Sequence, residues 1–154
     1  MKLFFYPVYL LLVLFTWQCR VSSPAVSIIS KEGQGLLNIA ATGFGEMQNK
    51  SEQEARQLVL QRLIFDGIPN DKVADARLPL VPNRSQLTAA QQRAVNELTA
   101  APYSDRFFLA MAKDGAGAAR ASNLKKSRGF VLQVNYDLLR RDLESRNVIR
   151  KFGL

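Results

Sequence analysis

The chain has 154 residues, 21 Lys and Arg against 13 Asp and Glu, a formal net charge of +8, one cysteine and no histidine. Without histidine, catalytic pairs built on imidazole are excluded, as is a histidine proton switch near neutral pH. With one cysteine, a disulfide within the chain and a zinc site made of several thiolates are excluded as well. The length suits one ordinary domain, and apolar burial must supply its stability.

The first part of the sequence has the features of a secretory signal. Lys2 precedes the uncharged, apolar stretch Leu3–Trp17, and small residues follow at Val21–Ser27. The stretch is as long as the apolar part of a signal peptide and shorter than the ~20 residues of a membrane-spanning helix. We therefore expect residues 1–23 to be a signal peptide and residues 24–154 to form one exported domain, in preference to a retained membrane anchor or a buried helix.

Cys19 follows this stretch and is a candidate for lipid attachment after cleavage of the signal. Bacterial lipoprotein signals place small residues before the cysteine, whereas Trp17 and Gln18 precede it here. Cys19 is therefore either lipidated, with the signal ending just before it, or removed with the signal. In both cases no pair of thiols is left to form an internal disulfide.

Two short segments rich in β-branched and apolar residues predict a β-hairpin. Ala25–Ser30 and Leu36–Thr42 are the strands, and the glycine-containing segment Lys31–Gly35 is the turn between them. In the second strand the alternate residues Leu37, Ile39 and Ala41 share one face, which we expect to be buried.

The most regular pattern predicts an amphipathic helix over residues 51–66. Ser51 and Glu54 have the spacing of a capping box, Gly67 supplies a left-handed residue at the end, and Pro69 prevents continuation. Apolar residues recur at spacings of three and four and cover more than half of the circumference, so we expect the helix to be covered on two sides. They are Ala55, Leu58, Val59, Leu60, Leu63, Ile64 and Phe65.

A long connection without clear helical or strand patterns follows at Ile68–Gln86 and contains several prolines. Its apolar residues Leu78, Leu80 and Val81 indicate that it packs across the core.

A second helix is predicted from Thr88 to Ala101. Thr88 and Gln91 have the capping-box spacing, and Pro102 stops the helix. Its apolar stripe is thin, which favours a surface position.

Segment Ser104–Lys113 is apolar but short, and its type is ambiguous. Ser104 suits a helix cap, whereas the adjacent Phe107 and Phe108 suit a strand. We predict a helix, with a strand as the alternative. Asp114–Arg128, rich in glycine, alanine, serine and lysine, is predicted to be an exposed loop.

The clearest strand is Gly129–Tyr136, in which apolar residues alternate with less apolar ones. This alternation predicts that Phe130 and Tyr136 belong to the core, in preference to stacking on a nucleic acid base. Asp137 is expected to cap a last helix over Leu138–Arg146, after which Val148, Ile149 and Phe152 fold back on the core.

Two patterns resemble sites for small ligands and fail on spacing. A phosphate-binding loop before Lys50 and Ser51 would need glycine where Phe44 and Asn49 stand. The carboxylates of Asp66, Asp71 and Asp75 lack the alternating ligand pattern of a calcium loop and are expected to be solvated. We therefore expect no cofactor, no metal and no catalytic residue.

Positive charge is concentrated in the last third of the chain. Acidic and basic residues balance from Pro24 to Ala100, whereas Ala101–Leu154 carries the excess. Such a region attracts acidic glycans or lipid headgroups, and nucleic acid is the least expected partner of an exported chain. The alternative is a solvated basic face. The candidate anion-binding residues are Lys125, Lys126, Arg128, Arg140 and Arg141.

The segments Ala40–Gly45 and Glu54–Leu63 resemble a class of small exported bacterial envelope proteins. This class includes outer-membrane lipoproteins and the N-terminal domain of the flagellar assembly protein FlgT. In this class a strand that ends in a small residue and glycine leads into a helix, and later strands complete a sheet against that helix. The segments Asp66–Pro69 and Pro79–Pro82 also resemble uncharacterised exported proteins of Gram-negative bacteria. The resemblance implies a non-enzymatic envelope protein of assembly or structural type. No functional residue carries over, because the class has no catalytic motif.

We therefore predict an α+β fold, a small and mainly antiparallel sheet with helices packed on one face. The predicted protein is an exported, non-catalytic envelope protein, periplasmic or associated with the outer membrane, that binds an envelope protein partner. The alternative is a binding module for an anionic polymer or lipid surface that acts through the basic C-terminal part. A hydrolase that uses carboxylates alone is a third hypothesis.

Overall fold

The computed structural model describes residues 26–33, 35–44, 47–68, 78–113 and 127–151. Several predicted features lie outside these ranges: the signal segment 1–23 with Cys19, the basic residues Lys125 and Lys126, the aspartates at 71 and 75, and Phe152.

The described chain forms one four-stranded antiparallel sheet and three α-helices, which confirms the predicted α+β class. Spatial order in the sheet is β1-β2-β4-β3, and each neighbouring pair is antiparallel. The two hairpins therefore meet along β2 and β4 at the centre. In chain order the elements are β1 (Val26–Glu32), β2 (Leu36–Phe44), α1 (Gln48–Gln61), α2 (Ala89–Thr99), β3 (Phe108–Lys113), β4 (Ser127–Asn135) and α3 (Tyr136–Ser145).

One face of the sheet is buried under the helices, and alternation along the strands determines which residues face them. In β2, Leu37, Ile39 and Ala41 are buried as predicted, and they lie opposite the buried residues Val134, Leu132 and Phe130 of β4. Side chains from α1, α2 and α3 complete the same core. On the other face apolar and polar cross-strand pairs are mixed, and many are half-buried, for example Ala40 opposite Val131 and Asn38 opposite Gln133.

The β1–β2 turn also supports the start of α3. Gly35 has a φ of 73°, a left-handed conformation that favours glycine. Its carbonyl oxygen accepts a hydrogen bond from the Tyr136 amide at 3.0 Å, and a Cβ at Gly35 would collide with the Asp137 carboxylate. The antiparallel pairing of β1 with β2 confirms the predicted hairpin. The contacts of Gly35 make its turn part of the tertiary packing.

Helix α1 begins earlier than predicted, at Gln48, with Met47 at the N-cap position. The predicted capping box is wrong, because Ser51 lies inside the helix and its hydroxyl donates to the Gln48 carbonyl oxygen at 2.8 Å. Glu54 accepts a hydrogen bond from the Phe44 amide instead, at 3.0 Å. The two residues that suggest a cap therefore have other roles. Ser51 bonds within α1, and Glu54 joins α1 to the end of β2.

The predicted end of this helix is confirmed. A π-helical turn, Arg62–Asp66, continues α1, and Gly67 ends it with a φ of 74°. The expected breadth of the apolar face is also confirmed, since Ala55, Val59, Leu60, Leu63 and Ile64 are all buried.

The described residues 78–86 of the connection after α1 pack on the core only in part. Leu80 and Val81 pack there, and their amides donate to the carbonyl oxygens of Leu63 at 3.1 Å and Ile64 at 2.7 Å. The expectation for Leu78 is wrong, because its side chain is 80% exposed. A 3-10 turn at Arg84–Gln86 then leads to α2.

Helix α2 has the predicted capping box. The Thr88 hydroxyl accepts from the Gln91 amide at 3.3 Å, and the Gln91 side chain accepts from the Thr88 amide at 2.9 Å. Val95 and Leu98 are buried, which places this narrow apolar stripe on the core and the rest of the helix at the surface.

The helix predicted for Ser104–Lys113 is wrong over most of its length. A 3-10 turn, Tyr103–Phe107, precedes strand β3, which pairs with β4. A register shift between Phe108 and Ala110 puts one extra residue, Leu109, into the strand. This bulge interrupts the alternation, so Phe108 and Met111 share a face at a spacing of three and give a helical pattern.

The last strand ends one residue earlier than predicted, and the last helix begins two residues earlier. Asn135 ends β4 and caps α3, since its side chain accepts from the Leu138 amide at 2.9 Å. The predicted cap, Asp137, lies in the first turn, where its charge suits the helix dipole. Tyr136 is in the core as predicted, although it begins the helix. Val148 is also buried, and Ile149 packs partly on the core.

Candidate functional site

The predicted anion-binding residues that the structure describes lie in different parts of the fold. Arg128 is in the first part of β4, opposite Gly43, whereas Arg140 and Arg141 are in α3, which begins after the other end of that strand. From Arg128 to Asn135 the strand covers roughly 23 Å at ~3.3 Å per residue. These arginines are close in sequence, but they therefore do not form one continuous basic surface.

Arg140 and Arg141 differ in their surroundings. Arg140 forms an ion pair with Glu144 at 3.0 Å, whereas Arg141 is exposed. Both lie in the second turn of α3 because the helix begins at Tyr136, so the positive end of the helix dipole repels them less than expected.

Arg128 belongs to a group of cations at one end of the sheet. Lys113 pairs with Phe130, so Arg128 is its diagonal neighbour on the same face, ~7–8 Å away. Gly43 lies opposite Arg128 and directly against the backbone of Ser51, so the exposed Lys50 in the first turn of α1 is at the same end. We call Lys50, Lys113 and Arg128 the basic end of the sheet.

Five of the described carboxylates form ion pairs with arginines of the same chain. The pairs are Arg56–Asp105 at 2.6 Å, Arg62–Asp66 at 3.1 Å, Arg106–Asp142 at 3.1 Å, Arg140–Glu144 at 3.0 Å and Arg146–Glu97 at 2.8 Å. Among the described residues, the charged side chains outside these pairs are therefore mainly basic.

A second arrangement, around Tyr103, was not predicted. The Tyr103 hydroxyl donates to Asp142 at 3.0 Å and accepts from Arg106 at 2.7 Å. The guanidinium groups of Arg106 and Arg146 lie 4.6 Å and 5.2 Å from the centre of its ring. Contacts with Tyr103 and then with Glu97 hold the pKa of Arg146 above its usual range.

This arrangement joins α2, the 3-10 turn and α3. Its polar groups bond one another, so we assign it a structural role. No local pattern could reveal it, because Tyr103 and Asp142 are 39 positions apart in the sequence.

Among the described residues, a groove of about 390 Å³ lies between residues 80–87 and residues 148–150. Val81 and Val148 form its buried floor, and Leu80, Leu87 and Ile149 are half-buried along its walls. We call it the Val81–Val148 groove.

Hydrogen bonds to neighbouring helices fix both walls of this groove. One wall is held to the π-helical turn by the amides of Leu80 and Val81. The other is held to α3 by the bond from the Val148 amide to the Leu143 carbonyl oxygen at 2.9 Å, and to α2 by the bond from the Gln91 side chain to the Asn147 carbonyl oxygen at 2.6 Å. The groove is therefore shaped by elements of the core.

Positive and amide side chains surround the apolar floor. Arg150 lines the groove, and together with Lys151 it also lines an adjoining cleft of about 380 Å³. Both side chains are exposed, and no carboxylate is among the described residues that line either cavity. The sequence showed the charge of this region but not the groove, whose walls are distant in sequence.

A smaller cleft of about 220 Å³ lies between the end of β2 and α1, with Thr42, Phe44 and Glu54 in its lining. The Glu54 carboxylate accepts a hydrogen bond from the Phe44 amide at this end of β2. That contact gives Glu54 a structural role.

Within the described ranges, no group of three or more Asp, Glu, Cys or His residues could hold a metal ion. Among the same residues, none of the helices has both the length and the hydropathy needed to cross a membrane. No family model, no curated protein and no solved structure matches this chain.

Proposed function

We propose that the chain is an exported, non-catalytic envelope protein, periplasmic or associated with the outer membrane, that acts by binding another envelope protein. Export is supported by the apolar stretch Leu3–Trp17 after Lys2 and by the small residues that follow it. The absence of histidine from the sequence supports a role without acid–base chemistry.

One observation carries the binding role: the fold uses its carboxylates internally and presents cations beside an apolar groove. Asp105, Asp142 and Glu144 are each paired with arginine, whereas Arg150 and Lys151 face solvent at the Val81–Val148 groove. Apolar surface gives binding energy, and charge around it selects a partner and speeds association. This combination suits a protein partner better than a small substrate, for which the groove offers no reactive group.

Fractionation and cross-linking test this proposal. The full chain would be expressed in a Gram-negative bacterium with a photo-reactive residue at Gln86, on the lip of the groove, and with the same residue at Ser27 as the control. We expect the chain in the periplasmic or outer-membrane fraction without residues 1–23, and one specific cross-linked protein from position 86 only. A cytosolic chain that keeps residues 1–23 contradicts the export part, and equal cross-linking from both positions contradicts the binding part.

The basic end of the sheet favours a second function, binding to an anionic polymer or lipid surface. Lys113 and Arg128 are neighbours there, and the first turn of α1, beside them, has no acidic residue and no side-chain cap. Two cations next to a helix N-terminus attract anions at low salt.

Charge reversal tests this second function. The variant Lys113→Glu/Arg128→Glu should lose salt-sensitive retention on heparin resin and on vesicles that contain phosphatidylglycerol. The control Lys31→Glu/Arg93→Glu changes the net charge equally, in β1 and α2, and should be retained almost as well as the original chain. If both variants elute at the same salt concentration, the basic end does not form a specific surface.

A further inference from the structure

We propose that the Val81–Val148 groove binds an extended peptide segment in which an apolar side chain is flanked by carboxylates. This inference rests on the proposed binding function and specifies the chemistry of the partner.

The apolar floor of the groove determines the first feature of the bound peptide, an apolar side chain. Val81 and Val148 are only 5% and 7% exposed, but both line an open groove, and the half-buried Leu80, Leu87 and Ile149 continue the same surface. A groove of about 390 Å³ is in the range of sites that accept a few side chains. An apolar side chain placed there removes this surface from water, which is the main source of binding energy in such contacts.

Positive charge at the rim of the groove determines the second feature of the bound peptide, acidic side chains. Arg150 and Lys151 are exposed, and the described residues give neither of them an ion-pair partner. The nearby acids Glu97 and Glu144 are already paired with Arg146 and Arg140. A carboxylate beside the apolar anchor would therefore meet these cations, whereas a basic segment would be repelled.

Amide groups along the walls indicate a peptide and not a fatty acid. Asn83 accepts from the Ser85 amide and hydroxyl through its oxygen, at 3.1 Å and 2.7 Å, which leaves its NH₂ group to donate. Gln86 and Asn147 have exposed side chains that bond no other described residue. Amides both donate and accept, as a peptide backbone does, while a hydrocarbon chain has no group for them to bind.

Peptide binding to the full chain tests the inference. The probe is a short fluorescein-labelled peptide with a central leucine and phenylalanine flanked by glutamates. One comparison peptide has lysines in place of the glutamates, and a second has serines in place of the two apolar residues. Binding would be followed by fluorescence anisotropy at low and at moderate salt.

We expect the acidic, apolar peptide to bind and both comparison peptides to bind about tenfold more weakly or worse. The variant Arg150→Glu/Lys151→Glu should weaken binding of the probe by about tenfold or more, because attraction at the rim becomes repulsion. The control Lys31→Glu/Arg93→Glu has the same net charge, lies away from the groove and should change binding less than about twofold.

Three results would overturn the inference. The first is equal binding of all three peptides, and the second is equal loss in the two charge-reversal variants. The third is unchanged probe binding in Arg150→Glu/Lys151→Glu together with loss of binding to phosphatidylglycerol vesicles, which would assign these cations to a lipid surface. If Arg150→Glu/Lys151→Glu still cross-links to an envelope protein, the proposed function survives and only the site assignment fails.

Discussion

The covered face of the sheet and the Val81–Val148 groove are both apolar, but they differ in how fully the rest of the chain covers them. On the sheet, Leu37, Ile39 and Leu132 are fully covered by residues of the same chain, and no charged group is needed. In the groove, Leu80, Leu87 and Ile149 are only half-covered, with cations at the rim. The first surface stabilises the fold, and we propose that the second is covered by a bound partner.

The largest effect is expected from a cavity in the covered face. Leu132→Ala should lower the free energy of unfolding by about 2–5 kcal/mol, because a fully buried leucine loses its packing on the central strand. Val131→Ala, the adjacent residue on the open face, should cost at most about 1 kcal/mol. Urea unfolding followed by circular dichroism measures both. Equal losses would show that both faces of the sheet are buried.

The next effect concerns the close approach of α1 to β2. A Cβ at Gly43 would overlap the Ser51 carbonyl oxygen, so Gly43→Ala should destabilise the chain by about 1–3 kcal/mol. Gly33 has nothing within 4 Å of an added Cβ, and Gly33→Ala should stay within about 0.5 kcal/mol. Thermal unfolding of the two variants compares them directly. A neutral Gly43→Ala would mean that the helix does not cross the strand at this point.

A smaller effect separates the real helix cap from the apparent one. Thr88→Ala removes the cap of α2 and should cost about 1 kcal/mol. Ser51→Ala lies inside α1, where alanine is a better helix former, and should be neutral within about 0.5 kcal/mol. Unfolding in urea gives both values. A loss at Ser51 equal to that at Thr88 would support the helix start that the sequence suggests.

The smallest effect on stability is expected at the groove. Arg150→Glu/Lys151→Glu changes exposed side chains, so the free energy of unfolding should shift by less than about 0.5 kcal/mol even though peptide binding is lost. A matching thermal unfolding curve, recorded on the sample used for binding, checks this. A large loss of stability would mean that these cations support the fold.

The parts of the fold that the sequence predicted depend on local patterns. Alternation in β2 and β4, the capping box at Thr88, and the glycine that ends the segment after α1 each involve residues within a few positions of one another. Sterics and hydrogen bonding within such a short stretch determine the outcome, so the pattern is sufficient.

The errors arise where distant contacts decide the structure. The bulge at Leu109 hides the alternation of β3, which only its pairing with β4 reveals. Glu54 bonds a strand amide ten positions earlier and does not complete a capping box. The groove needs residues near 80 and near 150 to meet, and the bond from Gln91 to Asn147 that helps to hold them spans 56 positions. Charge composition predicted either an anion-binding C-terminal part or a solvated basic face, but only the fold separates the groove from the basic end of the sheet.

Amide chemical shifts give the most direct test of the central claim, that binding occurs at the groove while the core keeps its structure. The isotope-labelled full chain would be titrated with the leucine- and phenylalanine-containing acidic peptide. We predict shifts at Leu80–Leu87 and at Asn147–Lys151, with the amides of Leu37 and Ile39 unchanged. Shifts centred on Lys50, Lys113 and Arg128 would contradict the account and place the binding surface at the other basic region.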